Sequence, residues 1–247
     1  MKKTLLSLAV AATMFAGSAN AHPNHKATVA LKTYAQIADV NYHDALADAK
    51  KLQAAIKAFT DNPTKETLLA AKDAWKVSRE SYGTTEIFRL SNGPIDAEEG
   101  WVADAYGNLE GQLNAWPLDE NMIDYTVDAE GKKTAGNIID TAGKFTPGGE
   151  EPKAVDVTKI TPEALTELNE NGGEANVSTG YHAIEFLLWG QDQDYGNFIK
   201  DGVTKGAMVA GQRPLTDFTT DKLADRRKAF LNAAADKLVA DVELVAS

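Results

Sequence analysis

The chain has 247 residues, with 25 lysines and arginines against 36 aspartates and glutamates, four histidines and no cysteine. Without thiols it has no disulfide framework, zinc ribbon, iron–sulfur cluster or cysteine nucleophile, and its net charge of −11 argues against a nucleic-acid or anionic-membrane partner. A hydrophobic fraction of 43% and a charged fraction of 25% are typical of a globular protein.

The N-terminus has the pattern of a secretory signal peptide over residues 1–21. Lys2 and Lys3 form a positive region, residues 4–15 form an apolar run too short to span a bilayer, and an A-x-A pattern ends at Ala21. The alternative is an N-terminal membrane anchor. Cleavage predicts an exported domain of residues 22–247, whose charge changes from −11 to −13 with the loss of both lysines. No cysteine follows to carry a lipid anchor, so we predict a soluble periplasmic protein.

Apolar residues that recur every three or four positions predict an all-α protein, a helical bundle of the up-and-down four-helix type. Predicted helices cover residues 27–60, 65–90, 97–115, 162–170, a short segment from Thr179 to Gly190, and 218–245. Pro63 ends the first helix and Thr64 caps the second. Glycines and prolines interrupt residues 91–178, which we expect to form a long irregular insert without extended strands.

The short apolar segment from Gly180 to Gly190 carries a histidine and a glutamate three residues apart. In a helix, His182 and Glu185 share a face. An imidazole and a carboxylate presented together form half of a metal site, for which facing helices supply the other ligands. A carboxylate in such a segment is costly unless it is paired or bound to a metal. The alternative is a core histidine that is hydrogen-bonded to Glu185.

The second predicted helix has an inward stripe that becomes polar toward its C-terminal end. The stripe consists of Leu68, Trp75, Arg79, Tyr82 and Glu86. Arg79 and Glu86 lie two turns apart, so we expect them to bracket a site rather than to touch. One interpretation is that each forms an ion pair with the neighbouring helix. The other is that Glu86 completes a site with His182 and Glu185, while Arg79 orients a carboxylate or an anionic ligand.

The Gly-x-His-x-x-Glu run from Gly180 to Gly190 resembles the signature of the imelysin family, which comprises exported bacterial helical-bundle proteins linked to iron uptake. Further stretches fit the pattern of that family in the same order: Arg79 through Glu86 to Arg89, Trp116 to Asp119, Ile123 to Tyr125, Gly211 to Arg213, and Arg226 with Arg227. The resemblance implies that His182 and Glu185 are the metal-binding pair and that Glu86 is a partner ligand. It also implies a set of surrounding pocket residues: Arg79, Asp96, Trp116, Asp124 and Arg213.

The chain departs from that family in its length. Members usually have two related bundles with the site near their interface, whereas this sequence ends soon after the helix expected at 218–245, which would open the second bundle. The apolar stripe of this helix then either packs back on the first bundle or associates with another molecule as a homodimer. A natural half-length form and a truncated reading frame are both consistent with this length.

Two functions fit these observations. The first is a periplasmic binding protein for one divalent or trivalent metal ion or its chelate, with iron first and zinc second, that serves uptake machinery of the outer or inner membrane. The second is a metal-dependent peptidase, as the historical classification of the family implies. A hydrolytic zinc site usually has three protein ligands and a base. Here the helix has one histidine, so a peptidase needs Glu86 and Glu185 as ligands and a separate base. The sequence therefore favours binding over catalysis.

Overall fold

The computed structural model describes residues 25–127, 130, 132–191 and 213–247, and the predicted signal peptide lies outside these residues. The helices are α1 His25–Asp61, α2 Lys65–Gly83, α3 Gly100–Tyr106, α4 Glu110–Leu113, α5 Glu120–Ile123, α6 Pro162–Leu168, α7 Gly180–Trp189 and α8 Ala224–Val245. Two 3-10 turns, Thr84–Phe88 and Leu215–Phe218, and one antiparallel pair of strands, β1 Lys144–Phe145 and β2 Val155–Asp156, complete the described elements. The predicted all-α class is confirmed.

The chain divides into two compact units, residues 1–40 and 41–247. The described part of the first unit is the N-terminal portion of α1. Its large apolar side chains, among them Leu31 and Ile37, are exposed. Helical periodicity identifies the apolar face of a helix but not the element that covers it.

In the second unit, the remainder of α1 buries one face completely. The buried residues follow helical spacing: Ala45, Ala49, Leu52, Ile56 and Phe59. Phe59 packs edge-on against Phe218, with 4.8 Å between ring centroids. The predicted boundary between α1 and α2 is confirmed, since the Thr64 hydroxyl accepts from the Thr67 backbone N–H at 3.1 Å and the Thr67 hydroxyl accepts from Thr64 N–H at 2.9 Å. This reciprocal capping box satisfies backbone donors at the start of α2.

The second helix ends earlier than the predicted residue 90. The α-helix stops at Gly83 and the chain continues as the 3-10 turn Thr84–Phe88, which buries Thr85 and Phe88. A 3-10 turn has about three residues per turn instead of 3.6, so it rotates the following side chains away from the α-helical stripe. The Glu86 side chain is consequently 48% exposed, and its predicted inward position is wrong.

The last helix begins at Ala224 rather than 218 and packs within its own unit. Phe230, Ala234 and Leu238 are buried, and the helix packs against α7, α6 and α4. Within this chain the buried side of the helix faces the bundle, and association with a second molecule stays a prediction.

The insert is irregular, as predicted, but it is held firmly to α8. The guanidinium of Arg226 donates to the carbonyl oxygens of Ile139, Ile138, Thr141 and Val157, at 2.7, 2.9, 2.8 and 2.9 Å. One side chain thereby satisfies the backbone acceptors of a segment that has few internal ladders of its own. The strands β1 and β2 have two residues each, which is too short for an alternating pattern in the sequence. Each helix in the described part of the chain is too short or too polar to span a bilayer.

Candidate functional site

Helix α7 is buried except along one side, which is partly exposed. This side carries His182 and Glu185. Buried residues occupy the rest of the helix: Gly180, Tyr181, Ala183, Ile184, Phe186, Leu187 and Leu188. His182, Glu185 and Trp189 follow one another at helical spacing and are partly exposed. His182 and Glu185 therefore share one face of the helix, as predicted, and this face is the accessible side of a helix that is otherwise buried.

His182 and Glu185 contact each other directly. Nδ1 of the imidazole lies 3.1 Å from Oε2 of the carboxylate, and the two side chains are 17% and 42% exposed. The imidazole also packs at a tilt against Trp116, with 4.9 Å between ring centroids. Because Nδ1 faces the carboxylate, Nε2 is the nitrogen that is left for a further ligand. The pair combines the geometry of an oriented histidine with access from the surface.

The N-terminal end of α7 is fixed on two sides. Trp75 of α2 donates its indole N–H to the Tyr181 carbonyl at 2.9 Å, and the Tyr181 hydroxyl lies 2.8 Å from the Ser78 hydroxyl. Burial raises the pKa of Tyr181 to about 12, so its phenol stays protonated. Gly180 has a φ of 78°, and a Cβ there would lie 2.4 Å from the Leu113 carbonyl oxygen. The first residue of the Gly-x-His-x-x-Glu run is thus a glycine because α4 approaches its backbone closely.

The C-terminal end of α7 is fixed by a buried ionic network. Arg213 donates to Asp124 at 2.7 Å, to Asp217 at 3.2 Å and to the Phe186 carbonyl at 3.3 Å. Arg227 donates to both oxygens of Asp124, at 2.7 and 3.1 Å. Asp124 and Arg213, two of the predicted pocket residues, therefore lie behind α7 and position it. Sequence reasoning missed Asp217, although its position four residues after Arg213 could have indicated a helical ion pair.

The structure brings Arg79 and Glu86 together instead of separating them. Arg79 Nη1 lies 3.7 Å from Glu86 Oε1, and Arg89 Nη2 lies 3.5 Å from the same oxygen. The prediction that Arg79 and Glu86 bracket a site without touching is wrong, because the 3-10 turn changes the direction of the Glu86 side chain. The Arg79 guanidinium also lies 5.6 Å from the centre of the Tyr181 ring. Arg79 is thus linked to the base of α7, and Glu86 is engaged with two arginines.

Asp96 closes a turn in the insert. Its carboxylate accepts from the backbone N–H groups of Gly93, at 3.1 Å, and of Leu90. Both contacts are local, which is a common use of aspartate in loops.

Within the described residues, no three histidine, aspartate or glutamate side chains converge as a metal-ligand group. The structure places His182 and Glu185 together, whereas Glu86 makes its contacts with Arg79 and Arg89. A metal at His182 and Glu185 would thus take the rest of its ligands from water, from a chelating molecule or from outside the described residues.

Sequence reasoning also missed a cleft that borders this site. It has a volume of about 650 Å³. Its lining includes Arg89, Glu110, Asn114, Trp116, Glu170 and Glu174. Trp116 lines the cleft and also packs against His182, and this residue is 62% exposed. These residues come from three segments that are far apart in sequence, at residues 89, 108–116 and 170–174, and no periodic pattern points to a common surface.

Comparison with known proteins places this architecture in a family. A family profile described as Imelysin matches residues 38–247. Iron-regulated protein A from Synechococcus elongatus is 30% identical over 88 residues, which are 36% of this chain and 22% of that protein. A crystal structure of an iron-regulated protein A precursor from Parabacteroides distasonis has a TM-score of 0.44 and 21% identity, and the match covers 84% of this chain and 40% of that one. The matches span less than half the length of either relative. Because the profile covers most of the sequence, this chain belongs to the imelysin family.

Proposed function

We propose that this chain is an exported periplasmic protein that binds a metal ion as its cargo, iron first, through His182 and Glu185, and that it serves iron acquisition. The observation that carries the proposal is the pairing of these two side chains, at 3.1 Å, on the accessible side of an otherwise buried helix. Two relatives are named iron-regulated protein A, and we extend the association with iron from them to this chain.

The proposed site is open, which suits cargo better than a permanently bound metal. Structural metal sites close the coordination shell with protein ligands, whereas open sites keep positions for water or substrate. One imidazole and one carboxylate leave several positions of an octahedral iron ion for water or for the donor atoms of a chelating molecule. Trp116, which packs on the imidazole and is largely exposed, provides an apolar surface beside those positions.

The same argument favours binding over hydrolysis. A zinc peptidase needs three protein ligands and a general base, and the described residues contain no such cluster of three. We propose zinc as the second metal to test, as a bound ion and not as a catalyst. Delivery to uptake machinery in the outer or inner membrane, and a homodimer through α8, stay as predictions.

The decisive experiment is metal titration of the purified, metal-stripped protein. We expect Fe²⁺, titrated without oxygen, and Zn²⁺, titrated separately, to bind at about one ion per chain in calorimetry. The double variant His182→Ala/Glu185→Ala should lose this binding. The matched control is His43→Ala/Asp44→Ala, which removes the same two kinds of group from exposed positions of α1. Metal binding by the first variant at wild-type strength would refute the proposed site.

A third variant, Glu185→Gln, separates two roles of the carboxylate. If Glu185 only orients the imidazole, metal affinity should fall by about 10- to 100-fold, whereas loss of a direct ligand should abolish binding as the double variant does. N-terminal sequencing of the periplasmic protein tests export, and the expected first residue is His22. Proteolysis that survives purification, stops on chelation and is absent from His182→Ala would instead support the peptidase.

A further inference from the structure

Arg89 has buried hydrogen-bond donors that the protein does not satisfy. Its Nε and Nη2 atoms are both buried and have no hydrogen-bond partner in the described part of the chain, and Arg89 has more such atoms than any other described residue. By contrast, Arg226 and Arg227 each donate several hydrogen bonds to carbonyl and carboxylate oxygens. Buried donors without an acceptor are uncommon in native proteins. The guanidinium group of Arg89 is therefore a candidate for binding an acceptor from outside the chain.

A second arginine approaches the same position. Arg79 Nη1 and Arg89 Nη2 lie 3.7 and 3.5 Å from one atom, Oε1 of Glu86, and both distances exceed the roughly 3.2 Å limit of an N–H···O hydrogen bond. The Arg79 guanidinium also lies over the rings of Tyr82 and Tyr181, at 5.7 and 5.6 Å from their centres. Guanidinium groups match the planar, two-oxygen geometry of a carboxylate. Two of them that converge on one point without hydrogen bonds to it form a binding position for such an anion.

Glu86 is a replaceable occupant of this position. Its side chain is 48% exposed and lies on the 3-10 turn Thr84–Phe88. A partly exposed ion pair at these distances contributes little to stability, so the Glu86 carboxylate can turn into solvent when a ligand carboxylate arrives. The location of Glu86 thus indicates both the place and the chemistry of the ligand.

The other carboxylate at Arg89 does not fill its donors. Glu110 Oε1 lies 2.9 Å from Arg89 Nη2, but this glutamate accepts its hydrogen bonds from the Tyr82 hydroxyl at 2.8 Å and from the Asn114 amide at 3.1 Å. Once Glu86 has turned away, two guanidinium groups face one carboxylate. The position then has a net positive charge, which favours an anion.

This position adjoins the metal site through the cleft. Arg89 and Trp116 both line the cleft of about 650 Å³, a volume that suits a small molecule, and Trp116 packs on His182. Glu170 and Glu174 also line it, but neither forms a salt bridge with an arginine among the described residues. Burial, and then the charge of Glu174, raise the pKa of Glu170. These two carboxylates therefore interact with each other and leave the guanidinium groups available.

We propose that Arg79 and Arg89 bind the carboxylates of a small polycarboxylate anion, which brings the metal ion to the neighbouring site as its complex. The anion takes the position of the Glu86 carboxylate. This inference rests on the proposed metal binding at His182 and Glu185, and it names the class of the chelating molecule. Further oxygen atoms of the same anion fill coordination positions of the metal ion that the protein leaves open.

Calorimetric titration of the metal-stripped protein with citrate, at physiological ionic strength, tests the anion site without the metal. We expect saturable binding at one site, with a Kd below about 1 mM. Arg79→Lys/Arg89→Lys keeps the charge but loses the fork geometry, and it should weaken binding by about tenfold or more; Arg79→Gln/Arg89→Gln should abolish binding. The matched control is Lys65→Gln/Lys76→Gln, which removes the same charge from exposed positions of α2 and should bind citrate as the wild type does. An equal loss in this control would overturn the proposal.

The variant Glu86→Gln predicts a change in the opposite direction. Loss of the competing carboxylate should tighten citrate binding several-fold, whereas a merely structural role of Glu86 would not. Glu80→Gln removes the same charge from an exposed position of α2 that forms no salt bridge in the described part of the chain, and it should leave citrate binding unchanged. Unchanged or weaker binding by Glu86→Gln, no saturable binding by the wild type, or tighter binding of inorganic phosphate than of citrate would each overturn the proposal.

Titration with ferric citrate separates failure of the anion site from failure of the metal site. The wild type should bind ferric citrate more tightly than metal-free citrate, and His182→Ala/Glu185→Ala should lose this difference while it keeps the binding of metal-free citrate. Binding of Fe²⁺ without binding of citrate would overturn the inference and leave the metal site standing. Citrate binding by a protein that binds no metal ion would instead refute the metal site, and delivery of the metal with it.

Discussion

The buried carboxylate of Asp124 offers a sharp test of how α7 is held. Asp124 is 1% exposed and accepts three charge-assisted hydrogen bonds, one from Arg213 and two from Arg227. The replacement Asp124→Asn keeps the shape of the side chain, so it creates no cavity. It removes the negative charge between two buried guanidinium groups and turns an amide N–H₂ toward one of them.

The expected loss in the free energy of unfolding depends on which ion-pair partners Arg213 and Arg227 keep after the replacement. Arg213 keeps Asp217 at 3.2 Å and Arg227 keeps Asp221 at 2.8 Å, so neither charge is left without a partner. Breaking a buried ion pair by removing one partner typically costs about 3–5 kcal/mol, and we expect the lower end of this range. For a domain of this size, that corresponds to a fall in Tm of roughly 10 °C.

Urea unfolding followed by circular dichroism measures this loss. The control is Asp73→Asn, which removes a carboxylate from an exposed ion pair with Lys76 at 3.3 Å and should cost less than about 1 kcal/mol. Since Arg213 also donates to the Phe186 carbonyl, Asp124→Asn should loosen the C-terminal turn of α7, visible as faster amide exchange there. Equal stability of Asp124→Asn and Asp73→Asn would show that the buried ionic network around Asp124 does not fix α7.

Three further predictions concern local features of the fold. Gly180→Ala should lower the free energy of unfolding by roughly 2–3 kcal/mol, because φ is positive and α4 leaves no room for a Cβ; Gly83→Ala, where nothing lies within 4 Å of the added Cβ, should not. Thr64→Ala should cost about 1 kcal/mol in urea unfolding, through loss of the capping box of α2, and an unchanged midpoint would contradict this role. Glu170→Gln should stabilise the protein at neutral pH but not at a pH well below 4.5. The pKa of Glu170 is raised in the folded state, so the wild type loses stability as pH rises through the interval above the ordinary value; the same gain at both pH values would refute this assignment.

The local order of the chain could be predicted from the sequence because it depends on neighbouring residues. The all-α class, the boundary at Pro63 and Thr64, and the short helix that presents His182 and Glu185 on one face all follow from periodicity and capping, which act within one or two turns. The same periodicity failed for Glu86, since the change from α to 3-10 winding after Gly83 depends on what Thr85 and Phe88 pack against.

Only the tertiary structure decided which of these side chains meet. It paired Glu86 with Arg79 and Arg89 instead of His182, and it placed Trp116 on the histidine from a distant segment. It also buried Asp124 with Arg213 and Arg227, so that their charges position α7 from behind. Contacts between residues far apart in sequence depend on how the insert folds over the bundle, and no periodic pattern in one chain records that path. The sequence by itself therefore determined the helix that carries His182 and Glu185. The tertiary packing determined which residues surround these two side chains, because burial and charge pairing are properties of the assembled core.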